Sequence, residues 1–110
     1  MSTFKVHYFD AYGRGDALRM ALTLAKVDFE DIRYTQESWA TAKATGNFEF
    51  GQLPAIEKDG VFYSQSFSLL RFIGKKHGFY PEDPLAAWKV DSALDSLNDL
   101  SPKVYAFLFE

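Results

Sequence analysis

Cysteine is absent from the 110 residues, which excludes structural disulfides, thiolate zinc sites and any redox cycle run on the protein's own sulfur. Thiol chemistry at this protein must therefore use a substrate's sulfur. An excess of basic charge is also missing: 12 Lys and Arg stand against 15 Asp and Glu, a net charge of -3 with a pI near 5.3. Without a broad positive field, neither nucleic acid nor an acidic membrane surface is an expected partner. No apolar run approaches the roughly 20 residues that span a bilayer, and Met1-Ser2-Thr3-Phe4-Lys5 has no basic stretch leading into a long apolar core. The expected location is cytoplasmic. Internal repeats and low-complexity stretches are absent too. What remains is 47% hydrophobic, 17% aromatic and 25% charged, the composition of an ordinary globular domain.

Phe4 to Phe9 is a short aromatic and β-branched run, with Phe4, Val6 and Tyr8 on one face and Lys5, His7 and Phe9 on the other, and reads as a strand. After Gly13 and Gly15, residues Leu18, Ala21, Leu22 and Ala25 fall at helical spacing, which predicts a helix over about Asp16 to Lys26. Phe29 to Tyr34 suits a second strand, parallel to the first across a βαβ crossover. The next stretch, Gln36 to Gly51, reads as a loop with a short helical turn between Trp39 and Ala44. Leu53 to Glu57 and Val61 to Tyr63 flank an Asp59-Gly60 hairpin turn. Ser66 stands where a helix cap belongs, ahead of Leu69, Leu70 and Ile73.

Tyr80-Pro81-Glu82-Asp83-Pro84 is a connector, because each proline restrains its predecessor and removes a donor. The expected division is 1–77, a linker over 78–84, and 85–110. In the last part Ala87, Val90, Leu94, Leu97, Ser101, Val104 and Leu108 recur at steps of three and four, the seam of a helix packed on other helices. Pro102 is expected to kink or restart that helix, with Ser101 as the new cap. The seam calls for partner helices beyond these residues, so a longer protein or an obligate assembly is expected.

The order βαβ, hairpin, helix, with a proline opening a strand after a loop, resembles a thioredoxin-like fold. Tyr8, Gly13-Arg14, Trp39, Lys43, Phe50-Gly51-Gln52-Leu53-Pro54 and Gln65-Ser66 together resemble the N-terminal domain of a cytosolic glutathione S-transferase of the tyrosine-using pi, sigma and alpha group. Val90 to Asp99 is similar to the first helix of that family's all-helical second domain. The fold class implied is α/β: a thioredoxin-like βαβ-ββα domain followed by the start of an all-α domain.

That resemblance implies a role for each matched residue. Tyr8, rather than Tyr12 in the following turn, would donate a hydrogen bond that holds the glutathione sulfur as thiolate, since an unperturbed thiol with a pKa of about 8.5 is mostly protonated at neutral pH. Arg14 would add positive potential beside it. Leu53, before a cis Pro54, would pair through its backbone with the tripeptide as an added strand. Gln65 and Ser66 would hold the γ-glutamyl carboxylate at a helix N-terminus, while Trp39 and Lys43, four apart, would take the glycyl carboxylate with Gln52. Asp91, Asp95 and Asp99 form an acidic stripe whose ordinary reading is a solvated face. Asp99 matches a family position that reaches the glutathione amino group of a neighbouring subunit, and Asn98 stands where an acid is common. No convergent ligands accompany the stripe, so no metal is expected.

The implied function is glutathione transfer: the thiol is activated for conjugation to an electrophile, with isomerase or peroxidase chemistry as other uses of one thiolate, in a detoxifying homodimer. The electrophile pocket would involve Phe9 to Gly13. A non-catalytic glutathione-binding or assembly module of the same fold is the alternative, because most of the family's second domain lies outside these residues. A thiol-disulfide oxidoreductase fails for want of a cysteine.

Overall fold

The run Phe4–Phe9 forms β1, and the computed structural model, which describes residues 3–11 and 13–109 with side chains as far as Phe107, places it inside a four-stranded sheet of order β2-β1-β3-β4. β2 (Phe29–Tyr34) runs parallel to β1 with Phe4 opposite Phe29. β3 (Ala55–Lys58) is antiparallel to β1 with Val6 opposite Ile56, and β4 (Val61–Ser64) closes the hairpin. The turn takes φ of 55° at Asp59 and 78° at Gly60, the paired left-handed geometry of a tight hairpin and one that glycine adopts without a steric penalty.

Both faces of β1 are covered. On one, Phe4 and Val6 join Leu18 and Leu22 of α1 (Arg14–Leu24), Ile56, and Leu69 and Ile73 of α3 (Ser66–Lys76) in the apolar core. Each fully buried aliphatic chain in such a core contributes about 1.5–3 kcal/mol. On the other face, His7 lies among Tyr34, Phe48 and Phe62, under α2 (Gln36–Lys43).

Several boundaries differ from the periodicity. α1 starts two residues early because the Asp16 carboxylate accepts the Gly13 N–H at 3.0 Å and closes the first turn. It ends early because Lys26 turns left-handed at φ 57°, while the Lys26 and Val27 N–H groups reach back to the Thr23 and Leu22 carbonyls. α2 begins at Gln36, not Trp39: Thr35 caps it, accepting from the Ser38 N–H at 3.1 Å while Ser38 Oγ accepts the Thr35 N–H at 2.8 Å. β3 begins at Ala55, after a cis Leu53–Pro54 bond. Ser66 is not a cap; Gln65 holds that position at φ 74° without a side-chain bond, and Ser66 is the first helical residue.

The last element, α4 (Pro84–Phe109), runs through Pro102 as one helix. Ser101 Oγ donates to the Leu97 carbonyl at 2.8 Å inside the helix and caps nothing new. A proline lacks one backbone donor, and this loss is local. Asp91 and Asp95 are not merely a solvated stripe. Arg71 of α3 donates to Asp91 at 2.8 Å and to Asp95 at 2.6 Å, and the Tyr80 hydroxyl donates to Asp91 at 2.6 Å. These bonds tie α4 to α3 and hold the Asp91 carboxyl below its usual pKa, the Tyr80 bond most and Arg71 next.

Candidate functional site

Tyr8 ends the buried part of β1, and its side chain lies over the start of α1. The approach is close: a Cβ on Gly15 would overlap the Tyr8 ring, and one on Gly13 would overlap its hydroxyl. The Arg14 backbone N–H bonds to the Tyr8 oxygen, the Tyr105 hydroxyl pairs with it, and the Arg19 guanidinium lies 5.5 Å from the ring centroid. Burial is the main cause that raises the Tyr8 pKa, followed by Tyr105, so the phenol keeps its proton at neutral pH. Tyr12 lies outside the described residues.

Arg14 links Tyr8 to a cleft. Its guanidinium sits 6.0 Å from both the Phe67 and Tyr105 ring centroids, and it lines a cleft with Phe50, Gln52, Leu53, Pro54, Ser64, Gln65 and Ser66. Six residues singled out from the sequence thus converge from three separated segments. They do so because Pro54 leads into β3 beside β1, while Gln65 and Ser66 open α3 directly after β4. At the N-terminus of α3 the first N–H groups have no intrahelical acceptors, a setting suited to a carboxylate.

Trp39 and Lys43 share one side of α2. Trp39 packs edge-on against Phe48, Tyr34 and Phe9 at centroid distances of 4.9, 5.8 and 6.3 Å. Lys43 runs beside Gly51, with its Cε 3.1 Å from where a Gly51 Cβ would stand, next to Gln52. Asp99 is exposed on α4 and does not line the Arg14 cleft.

Beside Tyr8 a second, open cavity of about 370 Å³ is lined by Phe9, Asp10 and Ala11 together with Tyr34, Gln36 and Tyr105. A cavity of about 400 Å³ between the β3–β4 hairpin and α3 contains none of the singled-out residues. Among the described residues no group of three His, Asp or Glu is placed to hold a metal, and no helix is long and apolar enough to cross a membrane.

Sequence reasoning missed Tyr105 and Arg19. Tyr105 carries no local signal, because it reaches Tyr8 only through the tertiary fold. Arg19 falls just after Leu18 in the apolar stripe, and its buried guanidinium donates to Asp31 at 2.9 Å, Asp16 at 3.1 Å and the Phe9 carbonyl at 3.2 Å. A charged residue beside the apolar stripe of a helix was the available hint.

No protein-family model matches the chain. It is 36% identical over 109 residues to glutathione S-transferase 2 of Caenorhabditis elegans, a match covering 99% of this chain and 57% of the relative. A monomeric glutathione S-transferase of the hookworm Necator americanus superposes with a TM-score of 0.86 at 37% identity, over 96% of this chain and 51% of that one. The prostaglandin synthase D of Nilaparvata lugens gives a TM-score of 0.88 at 33% identity, over 98% and 53%. The chain spans about half the length of the curated relatives it matches. Through nearly all of its own length, in sequence and in fold, it is similar to glutathione S-transferases.

Proposed function

We propose that this protein binds glutathione in the Arg14 to Ser66 cleft, holds its sulfur as thiolate with Tyr8, and presents it to an electrophile. The observation that carries the reading is the Tyr8 phenol, buried, protonated and joined through the Arg14 N–H to the cleft around cis Leu53–Pro54. A phenol oxygen has two lone pairs and one O–H. With the Arg14 N–H on one lone pair and Tyr105 paired with the protonated phenol, the Tyr8 O–H is assigned to turn from Tyr105 to the sulfur when glutathione binds. The thiol proton leaves to solvent, the thiolate attacks the electrophilic carbon, and a C–S bond replaces the bond to the leaving group. The cavity lined by Phe9, Asp10 and Ala11 is the space for that electrophile.

The tripeptide is assigned an extended path. Leu53 pairs with its backbone, Gln65 and Ser66 take the γ-glutamyl carboxylate at the start of α3, and Trp39, Lys43 and Gln52 take the glycyl carboxylate. Arg14 supplies positive potential beside the sulfur. Residues 1–77 form the glutathione-binding domain, 78–84 the linker and 85–110 the start of a helical domain. A cytoplasmic homodimer of the tyrosine-using group, in which Asp99 serves the neighbour's glutathione, completes the assignment; detoxifying conjugation is its use, with no metal.

The test is the ultraviolet absorbance of bound glutathione thiolate between about pH 5 and pH 9. In the whole protein the bound thiol is expected to ionise well below its free value, and Tyr8→Phe is expected to return it there, a loss of about 1.4 kcal/mol for each pKa unit. Saturable binding without any thiolate would instead identify a non-catalytic glutathione module, and turnover of chlorodinitrobenzene would be missing with it.

A further inference from the structure

We propose that His7, acting through the Tyr34 hydroxyl, is a positioning residue that sets the grip of α2 on the glycyl end of glutathione. The inference rests on the assignment of Trp39 and Lys43 to that carboxylate.

His7 is 5% exposed on the face of β1 opposite the apolar core. Its Nε2 lies 2.9 Å from Glu57 Oε1 and its Nδ1 lies 2.7 Å from the Tyr34 hydroxyl. A carboxylate only accepts, so Nε2 carries the hydrogen; the lone pair on Nδ1 then accepts from the Tyr34 O–H. The direction of both bonds follows, and the imidazole is locked between β3 and β2. Burial lowers the His7 pKa and raises that of Tyr34, which keeps each in the protonation state these bonds need.

The locked imidazole bears on Trp39 by two routes. It stacks on the Tyr34 ring at 5.8 Å, and Tyr34 meets Trp39 edge-on at 5.8 Å. It also meets Phe48 at 5.7 Å, and Phe48 packs on Trp39 at 4.9 Å. α2 has no buried residue of its own, so these ring contacts are the seat of the helix. A Tyr34 ring released from His7 lets Trp39 shift, and Lys43 one turn further on shifts with it.

The test measures binding of glutathione and of γ-glutamylcysteine, which lacks the glycyl carboxylate, to the whole protein by calorimetry. Tyr34→Phe and His7→Phe keep an aromatic ring and remove the bond between the two side chains. Each is expected to weaken glutathione roughly fivefold, the worth of one ordinary hydrogen bond, with the dipeptide unchanged. The double variant should be no weaker than either single one, because both act through one contact. Equal weakening of both ligands, as a general loss of folded protein would give, overturns the proposal, and so does unchanged glutathione binding in both variants. A wild-type protein that binds neither ligand overturns the glutathione reading, and this inference with it. A wild type that prefers glutathione while the variants match it overturns this inference alone.

Discussion

A phenol donates to sulfur only while it keeps its proton, and the burial of Tyr8 pushes its ionisation further above the ordinary phenol value of about 10. The glycines that let the start of α1 pass so close are therefore part of the site. Gly15→Ala puts a methyl group into the Tyr8 ring, and overpacking of this kind costs about 1–3 kcal/mol. The expected result is a folded protein that melts lower and has lost the thiolate shift, read by circular dichroism and by thiolate absorbance. Replacing Gly74 of α3 by Ala, where a Cβ would come no nearer than 3.5 Å to Tyr80, an ordinary contact, is the control for a glycine change alone; it should leave the thiolate shift intact.

His7 makes a different prediction at the same scale. Its pKa is lowered in the folded state, by burial first and against the pull of Glu57. As pH falls through the ordinary histidine value of about 6.5, the unfolded chain takes up the proton before the native one does. The stability contributed by neutral His7 is thus complete above about pH 6.5 and is lost as pH falls toward the folded pKa. Urea midpoints between pH 7 and pH 5 should fall more steeply for the wild type than for His7→Phe. A steeper fall in the variant would reverse the sign.

Among elements, α2 depends most on its ends. With no buried residue, it has little packing to compensate for a lost cap. Thr35→Ala, which removes the hydroxyl that accepts the Ser38 N–H, should cost about 1 kcal/mol and weaken glutathione more than γ-glutamylcysteine, by the same two-ligand measurement. This helix was also the least legible in the sequence. Its apolar pattern is faint, so periodicity found only the stretch around Trp39, while the reciprocal Thr35 and Ser38 bonds that start it at Gln36 involve two ordinary polar residues. β1, β2 and the hairpin were legible because alternation and Asp59-Gly60 are local signals. Most of the cleft was legible for another reason, since Arg14, Gln52 to Pro54 and Gln65-Ser66 stand in an order that resembles a family. His7 and Tyr105 acquire partners only when distant segments meet, and of the partners of Arg19 only Asp16 stands nearby in the sequence, with Asp31 and the Phe9 carbonyl brought to it by the fold.

For the molecule as a whole, the surface of α4 decides what must be added. Trp88 is 60% exposed, Leu97 and Leu100 are each 52% exposed and Phe107 is 82% exposed, an apolar face that calls for cover by further helices or by a second copy. The whole protein is expected to sediment as a dimer, and Asp99→Asn should then weaken glutathione without shifting the thiol's ionisation. A well-folded monomer with full glutathione affinity would remove Asp99 from the site; the hookworm relative is itself described as monomeric.

The sheet order β2-β1-β3-β4 bears on synthesis as well as on binding. The first three elements form a local unit, but the central strand waits for Ala55 to Glu57 to pair with His7 to Lys5, a closure across a long loop that carries an entropic cost. During translation, the emerging chain therefore exposes one edge of its central strand until the hairpin has left the ribosome. Only after that hairpin docks do Arg14, Pro54 and Ser66 face one another, so a ribosome stalled before the hairpin would hold a chain with no binding cleft.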